Sequence, residues 1–460
     1  MRSKAITALL CLVACLVWLG AATGAWAQEG QEAAATDTAA AQQADTPVDA
    51  SLYATDQVPE KMRQAIRASL EEEGWAARTT RVLEPGQPEG YLGLAGAPQT
   101  AWWAGLLWAI LVGWVFSTVG AFGGILSGVG HITIFGLGDY AAKFGKGSPV
   151  NNLLTDSIRV SNQWLVGFSG LISSINYYKM GRLVLPLGAC LAIGGVGGSW
   201  LVPELTAGQI SLKDYIGWFG VIVLILGFFL LYQISPKGQA SKQQAKAAAQ
   251  AFEKAAKSGG DTSEQGVKIL EGKSSMMWLG LVLVVASALW NNLVDGMVWI
   301  GYILLLAGWL CAFLIGEIRF TFYGQEFRFK AWIPMAGGIF IAAIASFLGI
   351  GGGFLFVPFL TSVAGLPMFI VAGTSALVVL IGMIVSIFSY MVGKGVLISW
   401  GLVGAELVGI FIGSMIGPRT SKFIPEKGLK IIFIILAFGV GIRYTLKGFF
   451  PEFYAGTGLP

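Results

Sequence analysis

Four polar residues interrupt an otherwise apolar stretch of this chain: Asn152, Asp156, Arg159 and Gln163 follow one another at intervals of four, three and four positions. That spacing puts all four on one face of an α-helix, with Thr155 beside them. A charged side chain at the centre of a membrane helix costs about 2.5–3.5 kcal/mol on insertion scales, so an Asp156 and Arg159 pair must face the inside of a bundle or a wet cavity. Arg159 offers an oxyanion a forked cation, and Asp156 can neutralise it or carry a proton. Asn152 and Thr155 join Arg159 as candidate substrate contacts. The same residues also fit a plain ion pair near a helix end, hydrated by headgroups, because both charges lie within roughly three turns of the start of the span.

Three further positions carry usable chemistry. His131 has an unperturbed pKa of about 6.5, close to working pH, so with Asp156 and Glu406 it forms the set of candidate proton carriers; a hydrogen-bonded packing role is the alternative. Thr374 and Ser375, just after Gly373, offer hydroxyls at what reads as a helix N-terminus, where N–H groups hold an anion or an ordinary N-cap forms. Metal chemistry has little to work with. His131 is the lone histidine, and Cys190 and Cys311 fall singly in apolar spans, so no disulfide framework, thiolate site or histidine cluster can be built, and no cofactor is expected.

The elements that position these residues are membrane helices. Of 460 residues, 55% are hydrophobic, 12% are charged and 64 are glycine, which describes an all-α, polytopic transmembrane bundle of about 10 spans. The formal charge of +4 is scattered through loops, which argues against a nucleic-acid partner and leaves a small anion and the lipid bilayer. Residues 1–27 read as a signal peptide and 28–100 as an exported, partly disordered segment with one amphipathic helix over Pro59 to Arg78. A first transmembrane repeat follows over 101–235, a hydrophilic loop over 236–275, two linking spans over 276–316, a second repeat over 317–448 and a tail over 449–460. Gly349-Ile350-Gly351-Gly352-Gly353 is too glycine-rich to continue a helix, and irregular backbone at membrane depth belongs where protein or a cavity satisfies it. Gly130, Gly351, Gly352 and Gly353 are therefore candidate substrate contacts, Gly128-Val129-Gly130 being the matching break upstream. The lysine-rich loop argues for an inside location opposite the exported head, which needs an odd number of crossings between them; the piece around Gly128 to Gly138 must supply the fifth. Two halves of opposite topology follow, with substrate bound where the breaks meet.

The second half resembles the sulfite exporter TauE/SafE family of bacterial membrane transporters. The resemblance rests on Gly349 to Pro358, Gly365-Leu366-Pro367, Ala372-Gly373-Thr374-Ser375 and the run from Gly409 to Gly417, in that order. It implies a secondary transporter of the bacterial inner membrane that exports sulfite or an organosulfonate, driven by an ion gradient. The first half departs from the pattern at His131, Ile132 and Asn151-Asn152, and the head, the central loop and the two linking spans fall outside the common core. Two other classes are open. Gly136-Leu137-Gly138-Asp139 resembles the GxGD element of intramembrane aspartyl proteases, although Asp156 and Asp295, the available second aspartates, lack the flanking pattern; and the large loop and head would suit a non-transporting sensor or scaffold.

Overall fold

The computed structural model describes residues 53, 58–119, 122–235, 266–272, 274–294, 296–362, 366, 368–420 and 426–456. The leader, residues 28–52, most of the hydrophilic loop, Asp295, Gly365 and Pro367 lie outside the described residues. The described chain is an all-α bundle with one small sheet. Its head comprises α1 (Glu60–Glu71), α2 (Glu73–Val82) and a 3-10 turn at Tyr91–Gly93. The first half contains α3 (Trp102–Val119), α4 (Gly123–Val129) with a π turn over Gly130–Ile134, α5 (Leu137–Lys143), α6 (Pro149–Lys179), α7 (Leu185–Thr206) and α8 (Leu212–Ile234). Next come β1 (Lys268–Glu271), α9 (Ser274–Leu293), α10 (Val298–Ile315), β2 (Glu317–Phe322) and β3 (Gln325–Lys330). The second half contains α11 (Trp332–Leu348), α12 (Gly353–Ser362), α13 (Met368–Phe388) with a π turn over Ser389–Gly393, α14 (Trp400–Thr420), α15 (Glu426–Phe449) and the short α16 (Pro451–Gly456).

Six helices are long and apolar enough to cross a membrane by length and composition: Leu185–Thr206, Leu212–Ile234, Ser275–Leu293, Val298–Ile315, Ile370–Gly393 and Trp400–Thr420. Helix α6 is longer still, at 31 residues, but it carries the polar stripe. Ser148 caps it by accepting from the Asn151 N–H at 3.2 Å, with Pro149 preset in the first turn. Every residue from Val150 to Gln163 is buried. The most polar long helix is thus the central one, as the cost of exposing its charges to lipid requires.

The two halves pack reciprocally. Helix α3 lies along α14 and, in exchange, α11 lies along α7; α6 crosses α13, and α8 pairs with α15. Glycines permit the close approaches: a Cβ at Gly409 or Gly413 would run into the α3 backbone at Leu106 or Ile110, and one at Gly194 or Gly198 into the α11 backbone at Met335 or Ile339. Gly404, on the same helix α14, has open space around it instead.

Both broken segments are hairpins, and they touch. Helix α11 ends at Gly349 (φ 68), and the chain passes through Gly351 (φ 67) and Gly352 (φ 34) into α12. Helix α3 gives way to α4 through Phe122, whose φ is 64. The first break therefore lies between Val119 and Gly123, with Phe122 in the left-handed conformation, and the sequence expectation of Gly128 to Gly130 is corrected. Gly128 and Gly130 are helical, and their missing side chains make room for the Phe219 ring and the Trp108 indole. At the crossing, a Cβ on Gly124 would run into the Ile350 carbonyl. Gly124→Ala is accordingly expected to lower thermal stability by about 1–3 kcal/mol through overpacking, whereas Gly404→Ala leaves the melting temperature of the purified protein unchanged.

The head and the sheet mark opposite ends of the bundle. Val150, at the start of α6, donates its N–H to Ser69 of α1 at 3.4 Å, whereas Val267, beside β1, donates to the Gly181 carbonyl just past the end of α6. Residues 317–330, placed from sequence at the start of the second repeat, form the antiparallel hairpin β2–β3 in a sheet of order β1-β2-β3. Ile318, Phe320 and Phe322 alternate inward, and Tyr323 and Gly324 adopt the positive φ of a tight turn.

Candidate functional site

Arg159 is completely buried and is bound on three sides. Its Nη1 donates to Asp156 Oδ1 at 2.8 Å, its Nη2 to Thr206 Oγ1 at 3.1 Å and its Nε to the Phe347 carbonyl at 2.8 Å. Asp156 accepts a second bond from the Gly208 N–H at 2.6 Å. The Tyr390 ring lies 5.0 Å below the guanidinium carbon and the Phe347 ring 5.3 Å away, while the Tyr390 hydroxyl reaches Thr206 at 3.1 Å. The cluster draws on α6, the α7–α8 connection, the end of α11 and the π turn after α13.

The broken end of α11 explains why α6 is so polar. A helix terminating inside a bundle leaves its last carbonyls without partners, and burying them unpaired is costly. Here Gln163 Nε2 donates to the Ser346 carbonyl at 3.2 Å, Arg159 to Phe347 and the Tyr215 hydroxyl to Leu348 at 2.7 Å. Gly349 lets the break lie on α6, since a Cβ there would sit 2.6 Å from the Arg159 carbonyl oxygen. Arg159 thus has two duties, capping the break and holding Asp156. Three of its five N–H groups are engaged by these bonds, and a charged fork in a dry setting can exchange one acceptor for another.

A second buried cluster unites two residues singled out separately in the sequence. His131 Nε2 lies 3.1 Å from Glu406 Oε2, with both side chains fully buried. On the other side, His131 Nδ1 lies 2.5 Å from Asn162 Oδ1, which also accepts from Ser127 at 3.0 Å. Glu406 Oε1 and Asn162 Nδ2 are buried without a hydrogen-bond partner. Asn162 stands three residues beyond Arg159 on α6, so one helix supplies both clusters.

Other expected residues fall elsewhere. Asn152 donates to the Gly208 carbonyl at 2.9 Å and thereby borders the Arg159 cluster. Thr155 turns its hydroxyl back to the Asn151 carbonyl at 2.8 Å. Thr374 and Ser375 lie inside α13 rather than at its N-terminus and bond back to the carbonyls of Ile370 and Ala372, so no free helix end offers an anion site there. Their glycine neighbour, Gly373, gives room to Tyr177 and the Arg182 carbonyl. Gly351 packs against Val166 and Val379, Gly352 against Phe356 and Ala345, and Gly353 begins α12. Gly130 abuts Trp108. Thr206, Gly208, Tyr390 and Phe347 were not foreseen, because two hydroxyls and two backbone groups carry no spacing signal. Asp139 is exposed and pairs with Lys447 at 2.6 Å, unlike a protease carboxylate, which shares a proton with a second one. Among the described residues, no group of three or more His, Cys, Asp or Glu side chains could hold a metal ion.

Comparison with known proteins bears on the second half. Residues 271–444 match the family model "Sulfite exporter TauE/SafE". The chain carries a TauE/SafE region. A stretch of 112 residues is 33% identical to "Sulfite exporter TauE/SafE family protein 5" of Arabidopsis thaliana, covering 24% of this chain and 25% of that protein. The match thus spans about a quarter of that relative's length, and no solved structure matches. The TauE/SafE region runs from the end of β1 into α15, so it takes in the linking helices α9 and α10, which the sequence reading had set apart from the family core. It contributes Phe347, Gly349, Tyr390 and Glu406 to the two clusters, whereas Asp156, Arg159, Asn162 and His131 lie before it.

Proposed function

We propose that the protein is a secondary transporter of the bacterial inner membrane that exports a small sulfur-containing anion, sulfite or an organosulfonate, coupled to a proton gradient. The observation that carries this reading is Arg159, a fully buried guanidinium held beside a broken helix end and neutralised by a single carboxylate. The TauE/SafE match of the second half supports the substrate class. The reciprocal packing of α3 on α14 and α11 on α7 supports two repeats, over 101–235 and 317–448, of inverted topology. In this arrangement the α3–α4 hairpin enters and returns at the head end, α11–α12 does the same from the sheet end, and α6, α7 and α8 cross between them. Head outside and lysine-rich loop inside then agree with the positive-inside rule.

The anion takes the place of Asp156 on the guanidinium, with the Thr206 and Tyr390 hydroxyls as further contacts. Asp156, once displaced in a dry site, is held neutral by a proton, so anion and proton bind together. The His131 and Glu406 pair, which meets α6 at Asn162 one turn beyond Arg159, stores the proton between the two ends. Glu406→Gln is therefore expected to leave anion affinity within about threefold of wild type while abolishing stimulation of flux by a pH gradient; that factor is well below one lost charged hydrogen bond. The reading as a whole is tested by flux of sulfite, sulfate, taurine and sulfoacetate into proteoliposomes with and without an imposed pH gradient. Gradient-stimulated movement of one of them is the expected result, and no movement of any by folded protein overturns it.

A further inference from the structure

The head is built into the bundle rather than laid on it. Met62, Ile66 and Ser69 of α1 are fully buried, as is Leu94. Tyr91, at the tip of the 3-10 turn, sends its hydroxyl to Ser157 Oγ at 2.8 Å and Ser161 Oγ at 3.3 Å. These two serines lie between Asp156 and Asn162 on α6, so the tip touches the helix that supplies both buried clusters. Ser157 also donates to the Leu397 carbonyl at 2.5 Å, which ties the same point to the loop after α13. Leu92 holds a left-handed conformation at φ 57, a cost of order 1–3 kcal/mol that persists only where its surroundings enforce it.

Charge points the same way. The Lys61 ammonium lies 3.3 Å from where a Cβ on Gly395 would stand, next to Lys394, which pairs with Glu204 at 2.7 Å. The exposed Lys61 feels the field of Asp156, and partial desolvation against the bundle holds its pKa below the ordinary lysine value, with Lys394 acting in the same direction and Asp156 against it.

We propose that residues 58–98 form a plug that seals the head end of the Arg159 cluster, with Tyr91 as its inserted tip and Lys61 as the cation over the mouth. Passage of an anion, on the transport reading above, then requires the plug to lift. The seal itself is independent of that reading and is tested separately. Ser157→Cys, buried beneath Tyr91, is exposed to a membrane-impermeant maleimide in the full-length protein, alone and combined with Met62→Ala/Ile66→Ala or with Tyr91→Phe; protein lacking Ser157→Cys provides the blank. The plug predicts slow labelling of the single variant and at least about tenfold faster labelling once Met62 and Ile66 are truncated, because local opening sets the rate. Tyr91→Phe, which removes only the hydroxyl, gives a smaller increase and carries the same comparison should the double variant fail to fold. Equal labelling rates in all three overturn the proposal. Faster labelling without movement of any tested anion leaves the seal standing and removes the transport reading instead.

Discussion

Replacing Arg159 by lysine is expected to abolish anion flux and to weaken anion binding by about 100-fold in a protein that still inserts and folds. Lysine keeps the positive charge near Asp156, so no carboxylate is stranded. It cannot reproduce the fork that serves Asp156, Thr206 and the Phe347 carbonyl at once. Hydrogen bonds to charged groups contribute about 1.5–3 kcal/mol each, and losing one or two of them from the bound anion accounts for the expected factor. Alanine is the poorer test. It leaves Asp156 buried without its partner at a cost of about 3–5 kcal/mol and uncaps α11, so lost flux would report lost structure. Flux in proteoliposomes together with elution as a single species in detergent separates these outcomes, and normal flux in Arg159→Lys would remove the residue from the mechanism.

Asp156→Asn is expected to produce the opposite phenotype in binding. An asparagine can still accept the Gly208 N–H, but the guanidinium loses its counter-charge in a fully buried position. The unliganded protein should be destabilised by about 3–5 kcal/mol. An anion that occupies the vacated position restores the balance, so the variant should bind sulfite more tightly than wild type and show a larger rise in melting temperature on its addition. Flux should become independent of the pH gradient, since the proton that accompanies the anion has no carboxylate to occupy. A variant that melts like wild type and shows no greater rise with sulfite would argue that Asp156 and Arg159 are a structural pair only.

What was legible in the sequence, and what was not, follows from the range of the interactions. The stripe on α6 was readable because a helix fixes its own geometry: Asp156 and Arg159, three residues apart, meet as the spacing requires. His131 and Glu406 were each conspicuous as ionisable groups among apolar residues, but their contact joins positions 275 apart and no local pattern encodes it. Glycine misled in two directions. At Gly128, Gly130 and Gly373 it makes room for aromatic neighbours, whereas at Gly349 and Gly351 it supplies positive φ, and the letter alone does not separate the two uses. The first break was missed for the complementary reason, since a phenylalanine, Phe122, occupies its left-handed position. The β2–β3 hairpin did carry its signal, alternating Ile318, Phe320 and Phe322 ahead of Tyr323-Gly324, but the run is short and lies among charges.

The central claim is that the Arg159 guanidinium binds the transported anion in exchange for Asp156. It is tested most directly by calorimetric titration of sulfite and of sulfoacetate into purified wild-type, Arg159→Lys and Asp156→Asn proteins, each in two buffers of different ionisation enthalpy. The account expects saturable binding by wild type with uptake of a proton, a loss of about 100-fold in Arg159→Lys, and tighter binding without proton uptake in Asp156→Asn. Equal affinity and equal proton uptake in all three proteins would contradict it and would leave the buried pair as a cap for a broken helix.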